Sequence, residues 1–462
     1  MMPRWPAGGS GPDSGGRRGR GSRVPVRARR RASRPGWGML VGRIDLLPSH
    51  TVGRGCPTRG RPIHDLARSG DQMDLTFSAA EEAFRADLRS WLAGSVPAAW
   101  REPGFWAGVP DDEDFELRRE WERRKFEAGF AGIDWPTEYG GRGGTPGMKA
   151  IYDQELALAR APGTVNPLGL AFLAPTIMAI GTDEQKREII RPLLRCDVIW
   201  CQGFSEPDAG SDLAALRTSG VADGDDIVVN GQKVWTTNAG HGDRIFTMVR
   251  TEPGSQRHRG LSMLLLDMHQ DGVEVRPLRQ MSGATEFGEV FFTDARVPAR
   301  ECLGGLGNGW ATAMLLLSFE RGASGISQYT AFRQSYDEIV RAARALGRDT
   351  DPVLRQELGR RMVELECLRY HAMHVLTQVE RGADLGAESS MTKLQWSETY
   401  QDLFETFDDL LGADAAVSTP VAGLDLSALQ SEGFWSRSVT IWGGSSQVQR
   451  NIVAERVLGL PR

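Results

Sequence analysis

The apolar residues of this 462-residue chain change their spacing twice, and that change restricts the fold more than any single motif. Phe84, Leu88, Trp91 and Leu92 recur at the spacing of one helix face. Ser78-Ala79-Ala80-Glu81, just before them, reads as a capping box in which hydroxyl and carboxylate each satisfy a free backbone amide. Further helices are expected at 115–130, 148–160 and 184–194. The last follows Thr182 as N-cap and carries Asp183 and Glu184 in its first turn, which suits the helix dipole. The period then falls to two. Residues 226–230 and 232–236 flank Asn230-Gly231, the strongest short hairpin signal, and more strands are expected at 245–250, 261–266, 273–278 and 290–292. From Trp310 the helical rhythm returns, with helices expected at about 309–343, 352–380, 387–411 and 436–457 and a loop at 417–433. The fold class that follows is α+β, mostly α. It comprises an N-terminal helical domain (73–197), a middle antiparallel β barrel or sandwich (198–303) and a C-terminal four-helix bundle (304–462).

The length allows two or three cores. No apolar run approaches the roughly 20 residues that span a bilayer, so no membrane span is expected. Five cysteines (Cys56, Cys196, Cys201, Cys302, Cys367) show no paired spacing, which argues against a disulfide framework or a zinc site and for a reducing compartment, the cytoplasm of a bacterium. Charge is unevenly divided: residues 1–72 hold 15 Arg and 4 Asp, a surplus of +11, whereas the whole chain is −5 and the remainder therefore −16. The first block is rich in Gly and Pro, lacks apolar periodicity and is expected to be disordered. It reads as a basic arm for nucleic acid or anionic lipid, as an atypical transit leader, or as translated upstream sequence before a true start at Met73. The third reading fits an Arg-dominated chain with only five Lys. The acidic remainder gives no support to nucleic-acid binding.

Between the first helical region and the strands lies Trp200-Cys201-Gln202-Gly203-Phe204-Ser205-Glu206-Pro207-Asp208-Ala209-Gly210-Ser211-Asp212. Ser205, Ser211 and a turn on Pro207 and Gly210 let backbone amides approach a flat ligand closely, although an ordinary surface loop has the same composition. Two further stretches accompany it in order: Asn230-Gly231-Gln232-Lys233-Val234-Trp235-Thr236-Thr237-Asn238, and Gly443-Gly444-Ser445-Ser446-Gln447-Val448-Gln449-Arg450. With helices, strands and helices in that sequence, the chain resembles the acyl-CoA dehydrogenase family over nearly all of residues 74–462. The resemblance implies FAD and α,β-dehydrogenation of an acyl-CoA thioester. It implies that Gln202, Phe204, Ser205, Gly210 and Ser211 border the flavin, that Trp235 packs near its ring system with Thr236 and Thr237 beside it, and that Ser445, Ser446 and Gln447 complete the cofactor site. Ser211, Arg321 and Gly444 are the implied substrate contacts. Trp235 also fits an ordinary core aromatic, and Cys201 is read as packing.

One departure from the family pattern matters most. Many members carry a catalytic Glu immediately before the Gly-Ser-Ser-Gln turn, and here that position is Gly443, which can offer only its backbone N–H to the thioester carbonyl. Branched-acyl and long-chain members place the base on a bundle helix in a Glu-Arg pair, and Leu317-Ser318-Phe319-Glu320-Arg321-Gly322 stands at the corresponding place. Glu320 is therefore the expected base, against the alternative of a surface Glu–Arg pair. Glu206 is read as fixing its own turn. The segments that family homotetramers lend to a neighbour's FAD read here Arg341-Ala342-Ala343-Arg344-Ala345-Leu346-Gly347-Arg348 and Leu411-Gly412-Ala413-Asp414-Ala415, both altered. This suggests a homo- or heterotetramer with a related subunit, with electron-transfer flavoprotein as acceptor. A second class stays open: a non-dehydrogenating subunit or a flavin oxygenase.

Overall fold

The computed structural model describes residues 76–102, 105–320, 325–382, 386–417 and 420–461. Residues 1–72 and Arg321, and with them the expectations of disorder and of substrate contact, lie outside the described residues, as does the side chain of Glu320. Among the described residues five α-helices precede the strands: α1 (Ala79–Ser95), α2 (Asp111–Glu127), α3 (Pro146–Leu158), α4 (Ala174–Ile180) and α5 (Asp183–Leu194). The capping box at Ser78 and Glu81 forms, and Thr182 caps α5 with Gln185 completing a second box. Phe84, Leu88 and Leu92 on α1 bury against Trp121, Phe130, Ile133 and Ile151.

A single eight-stranded sheet follows: β1 (Trp200–Gly203), β2 (Ser219–Asp223), β3 (Asp226–Thr237), β4 (Arg244–Arg250), β5 (Leu261–Asp267), β6 (Val273–Leu278), β7 (Phe287–Pro298) and β8 (Cys302–Leu303). Its order is β6-β7-β3-β2-β4-β5-β8, with β1 added on β4. Antiparallel pairs dominate; β1–β4 and β2–β4 run parallel. The hairpin expected at Asn230-Gly231 is not there. β3 runs straight through these residues against β7, and the turn lies earlier, at Asp223–Asp226 between β2 and β3. Gly231 instead occupies a bulge at φ +151°, where a Cβ would come within 2.5 Å of Thr218 Oγ1 and 2.7 Å of its Cα. Close backbone approach, not chain reversal, requires the glycine.

The C-terminal part contains α6 (Gly309–Glu320), α7 (Gly325–Ala345), α8 (Pro352–Glu380), α9 (Ser389–Leu411), α10 (Ser427–Ser436) and α11 (Ser446–Ile452). The helix expected over 436–457 forms only from Ser446, because α10 ends at Ser436 and residues 437–445 are turns, and the expected loop at 417–433 holds most of α10. The turns finish at Gly443 and Gly444, both left-handed (φ +63° and +86°), after which Ser445 caps α11. Side chains of α7, α8, α9 and α10 enclose one core, including Ile339, Leu365, Phe404 and Leu429. The stretch expected as one helix over 309–343 is described as α6 and α7, and the two differ in partners. Ala313 and Leu316 of α6 belong to another core, shared with Ile177 of α4, Leu193 of α5 and Met263 and Leu265 of β5.

Candidate functional site

β1 delivers the loop that follows it. Cys201 and Gly203 of β1 are buried and Gln202 half-buried. Thr247 Oγ1 of the neighbouring β4 donates to Gly203 O at 2.9 Å. Phe204 buries its ring edge-on against Phe246, with centroids 6.1 Å apart. Glu206 and Ala209 exchange backbone hydrogen bonds of 3.0 and 3.1 Å across the Pro207 turn, and Val234 N on β3 donates to Ser205 O at 2.9 Å. Gly210 and Ser211 stay exposed at the tip.

One carboxylate fixes this loop. Glu206 accepts from the amides of Arg217 (2.6 Å) and Thr218 (2.9 Å) and from Lys233 Nζ (2.8 Å). Lys233 is completely buried and also donates to Phe204 O at 3.2 Å. Burial pushes the Glu206 carboxyl up, but Lys233 and the hydrogen bonds outweigh it and hold it below the ordinary carboxylate value. Burial pushes the Lys233 ammonium down to about 8, with Glu206 pulling the other way. Both groups are therefore ionised near neutrality, an internal pair that ties β3 to the loop.

Two residues farther along, β3 bulges again, and Trp235 takes a left-handed backbone (φ +59°) with 61% of its surface exposed. It is not the core aromatic that a strand position also permits. Its ring meets Phe287 of β7 edge-on at 6.0 Å, and Phe287 stacks on Trp435 of α10 at 5.9 Å and 13°. Local backbone strain of this kind clusters at ligand sites. Thr236 beside it is fully buried and its hydroxyl has no partner, while Thr237 is half-buried. Asn238, also left-handed, donates from its side chain to Val165 O at 2.9 Å and so ties the end of β3 to the N-terminal helices. The Cys201 thiol donates to Asn238 O and burial pushes it upward, so it packs rather than reacts.

The glycine turn of the third motif is held from inside. Gln449, 2% exposed, donates to Gly443 O at 2.9 Å and to Gly444 O at 3.3 Å. Ser445 Oγ accepts from Val448 N, and Ser446 N donates to Thr440 O at 2.9 Å. Ser446 Oγ and Gln449 Oε1 are buried without a partner, and Gln447 is exposed. The outward-facing Trp235 and the orphaned hydroxyls of Thr236 and Ser446 suit a flat, polar-edged cofactor. Gln449 and Asn238 carry roles that motif reading alone did not assign. Burial also raises Glu432 of α10, which Ser335 Oγ (2.8 Å) and Tyr400 OH (3.4 Å) tie into the bundle. A cavity of about 830 Å³ lies elsewhere, between the start of α5, Arg300–Cys302 and the first half of α6, and none of the expected site residues lines it.

Comparison with known proteins agrees with this arrangement. Residues 78–197, 201–295 and 307–458 match, respectively, the N-terminal, middle and C-terminal domains of acyl-CoA dehydrogenase. Acyl-CoA dehydrogenase IpdE1 of Mycobacterium tuberculosis is 40% identical over 382 residues, covering 82% of this chain and 98% of that protein. IpdE1 of Mycolicibacterium smegmatis is 38% identical, with the same coverage. Among solved structures, the Tcur3481-Tcur3483 steroid ACAD superposes with a TM-score of 0.73 at 30% identity, covering 84% of this chain and 100% of the other. The ChsE4-ChsE5 complex from Mycobacterium tuberculosis gives 0.72 at 30% identity, with equal coverage. Matched in all three of its parts and aligned with nearly the whole of a 40% identical relative, the chain belongs to the acyl-CoA dehydrogenase family.

Proposed function

We propose that Glu320 is the base of this acyl-CoA dehydrogenase and that its flavin is FAD. Family membership makes the chain an oxidoreductase acting on a CH–CH bond of an acyl-CoA thioester, with a flavin cofactor. The observation that carries the assignment of the base is α6, the helix that ends at Glu320. Its Ala313 and Leu316 share a core with Trp200, Phe204 and Ala209, so α6 is packed behind the flavin loop, while Gly443 leaves the other family position without a carboxylate.

Bound FAD supplies the acceptor for the β hydride. Glu320 takes the α proton, a task for which a carboxylate gains basicity where bound substrate excludes water. The Gly443 N–H donates to the thioester oxygen, where enolate-like charge gathers. Gln202, Phe204, Ser205, Gly210, Ser211, Trp235, Thr236, Thr237, Ser445, Ser446 and Gln447 hold the cofactor, and Ser211, Arg321 and Gly444 meet the substrate. Residues 73–197, 198–303 and 304–462 form the three domains of this machine.

The two solved relatives named above pair two different chains, and one is titled a steroid ACAD. With the altered segments at Arg341–Arg348 and Leu411–Ala415, this favours a heterotetramer acting on a steroid-derived acyl-CoA. Electron-transfer flavoprotein takes the electrons in the cytoplasm. Among the described residues no helix is long and apolar enough to cross a membrane.

The test is Glu320→Gln. The variant is expected to keep its flavin and lose turnover by about 10²–10⁴-fold, the usual share of a positioned base. Near-normal turnover would reject the assignment. Wild-type flavin in the complex with the related subunit, bleached by none of a panel of straight, branched and steroid-derived acyl-CoAs, would favour the non-dehydrogenating reading.

A further inference from the structure

The structure assigns a positioning role to Lys393: it clamps the chain segment that presents the Gly443 amide. Lys393 sits near the start of α9, 9% exposed, and its ammonium donates to Val439 O. It also lies between two indole rings, 5.1 Å from the Trp396 centroid on its own helix and 5.2 Å from that of Trp442. The two indoles are themselves 5.7 Å apart, and Trp442 Nε1 donates to Ser438 Oγ at 3.1 Å. One buried cation thus holds both ends of Val439–Trp442, by a carbonyl at the first residue and an aromatic face at the last.

The geometry matters because of what comes next. The Gly443 N–H belongs to the planar peptide shared with Trp442, so holding Trp442 in place narrows the directions open to that donor. Downstream, two consecutive left-handed glycines leave the chain free to swivel unless both sides are held. Gln449 holds the downstream side through the Gly443 and Gly444 carbonyls. Lys393 holds the upstream side. The cation–π contacts gain strength from burial. A donor aimed at developing charge loses its effect when displaced by even an ångström.

This inference rests on the reading that Gly443 N–H meets the thioester oxygen, and the experiment separates the two. The holoenzyme is prepared as wild type, Lys393→Met and Lys393→Arg. Octanoyl-CoA, 2-methylpropanoyl-CoA and a steroid-derived propanoyl-CoA are compared, and whichever bleaches the wild-type flavin fastest becomes the probe. Flavin content, the rate of flavin reduction at saturating probe and the Raman carbonyl stretch of the matching bound 2-enoyl-CoA are measured. Lys393→Met is expected to retain flavin, to reduce it on the order of 10²-fold more slowly at saturation, and to return the carbonyl stretch toward its value in water, with Lys393→Arg restoring most of both. A wild-type stretch equal to that in water would sink the Gly443 reading. A shifted wild-type stretch that persists in Lys393→Met, whatever the rate, would overturn the role of Lys393 alone. Should Lys393→Met lose its flavin, Trp396→Leu removes one face of the clamp and keeps the ammonium; wild-type rate and stretch in that variant overturn the proposal equally.

Discussion

Glu206 and Lys233 form a pair whose value lies in what happens when it is broken. An ion pair this deep gains little over two apolar residues, yet removing one partner strands the other charge. Glu206→Gln leaves the Lys233 ammonium, fully buried, without its counter-charge. The expected loss is about 3–5 kcal/mol of stability, read as a lower melting temperature together with flavin release. An unchanged melting curve would show that the pair is dispensable. The pH dependence has a definite sign. Glu206 titrates below its ordinary value of 4.5 in the folded chain, so its stabilisation is complete above 4.5 and fades as pH falls through the lower folded value. Flavin retention in acid should show that loss in the wild type and lack it in Glu206→Gln. A turn-fixing role for Glu206 is legible from its place beside Pro207, but its cationic partner is not, because a separation of 27 positions carries no contact information. One clue was available. In a chain with only five Lys against a mass of Arg, Lys125, Lys233 and Lys393 are all buried. At Lys125 and Lys233 a compact ammonium on a slender stem reaches the internal carboxylates of Glu122 and Glu206, where a guanidinium fork would not fit.

At the scale of elements, the site depends on how closely β1 lies against β4. A Cβ on Gly203 would stand 2.7 Å from Thr247 Oγ1 and 2.8 Å from Ile245 Cδ1. Gly203→Ala must therefore push β1 and the flavin loop outward, at a cost of about 1–3 kcal/mol, as overpacked cores show. The variant is expected to bind flavin more weakly, measured by fluorescence titration of the apoprotein; wild-type affinity would show that the strand can shift freely. The elements differ in how readable they are. Helices α1 and α5 announce themselves, because Ser78/Glu81 and Thr182/Gln185 satisfy local amides and need nothing distant. Asn230-Gly231 misleads because its glycine answers to Thr218, twelve or more residues earlier in a neighbouring segment, and not to the local turn. The C-terminal stretch misleads for a related reason. Trp435, Val439 and Trp442 have helix-like spacing, but Trp435 faces Phe287 while Trp442 packs on Lys393, and α10 ends at Ser436, between those two tasks. Local signals are read correctly where the chain satisfies itself, and fail where a partner remote in sequence sets the geometry.

At the scale of the whole molecule, the C-terminal bundle looks built to be covered. Val353, Val363 and Tyr370 of α8, Phe434 of α10, and Ile441, Leu458 and Leu460 are large apolar side chains left exposed. Their number on this part of the chain suits an assembly surface. The segments that family homotetramers lend to a neighbour's cofactor are meanwhile engaged within their own chain. Arg341 pairs with Glu338 at 3.3 Å, and Arg348 donates to Leu410 O at 2.6 Å and pairs with Asp351 at 3.2 Å. Asp414 stands in the other segment, where a carboxylate would repel a neighbour's pyrophosphate. On the proposed reading, a second copy of this chain would offer a poor complement to a cofactor site around Trp235, and a related subunit that retains those segments a good one. Expressed alone, the chain is expected to purify with well under one flavin per chain and no acyl-CoA-dependent bleaching. Co-expressed with a related subunit, it is expected to give an equimolar complex by native mass spectrometry, with the flavin reduced by substrate and the reduction abolished by Glu320→Gln in this chain only. A fully flavinated homotetramer from the chain alone would overturn the heteromeric reading and return the shared half of the site to its own segments.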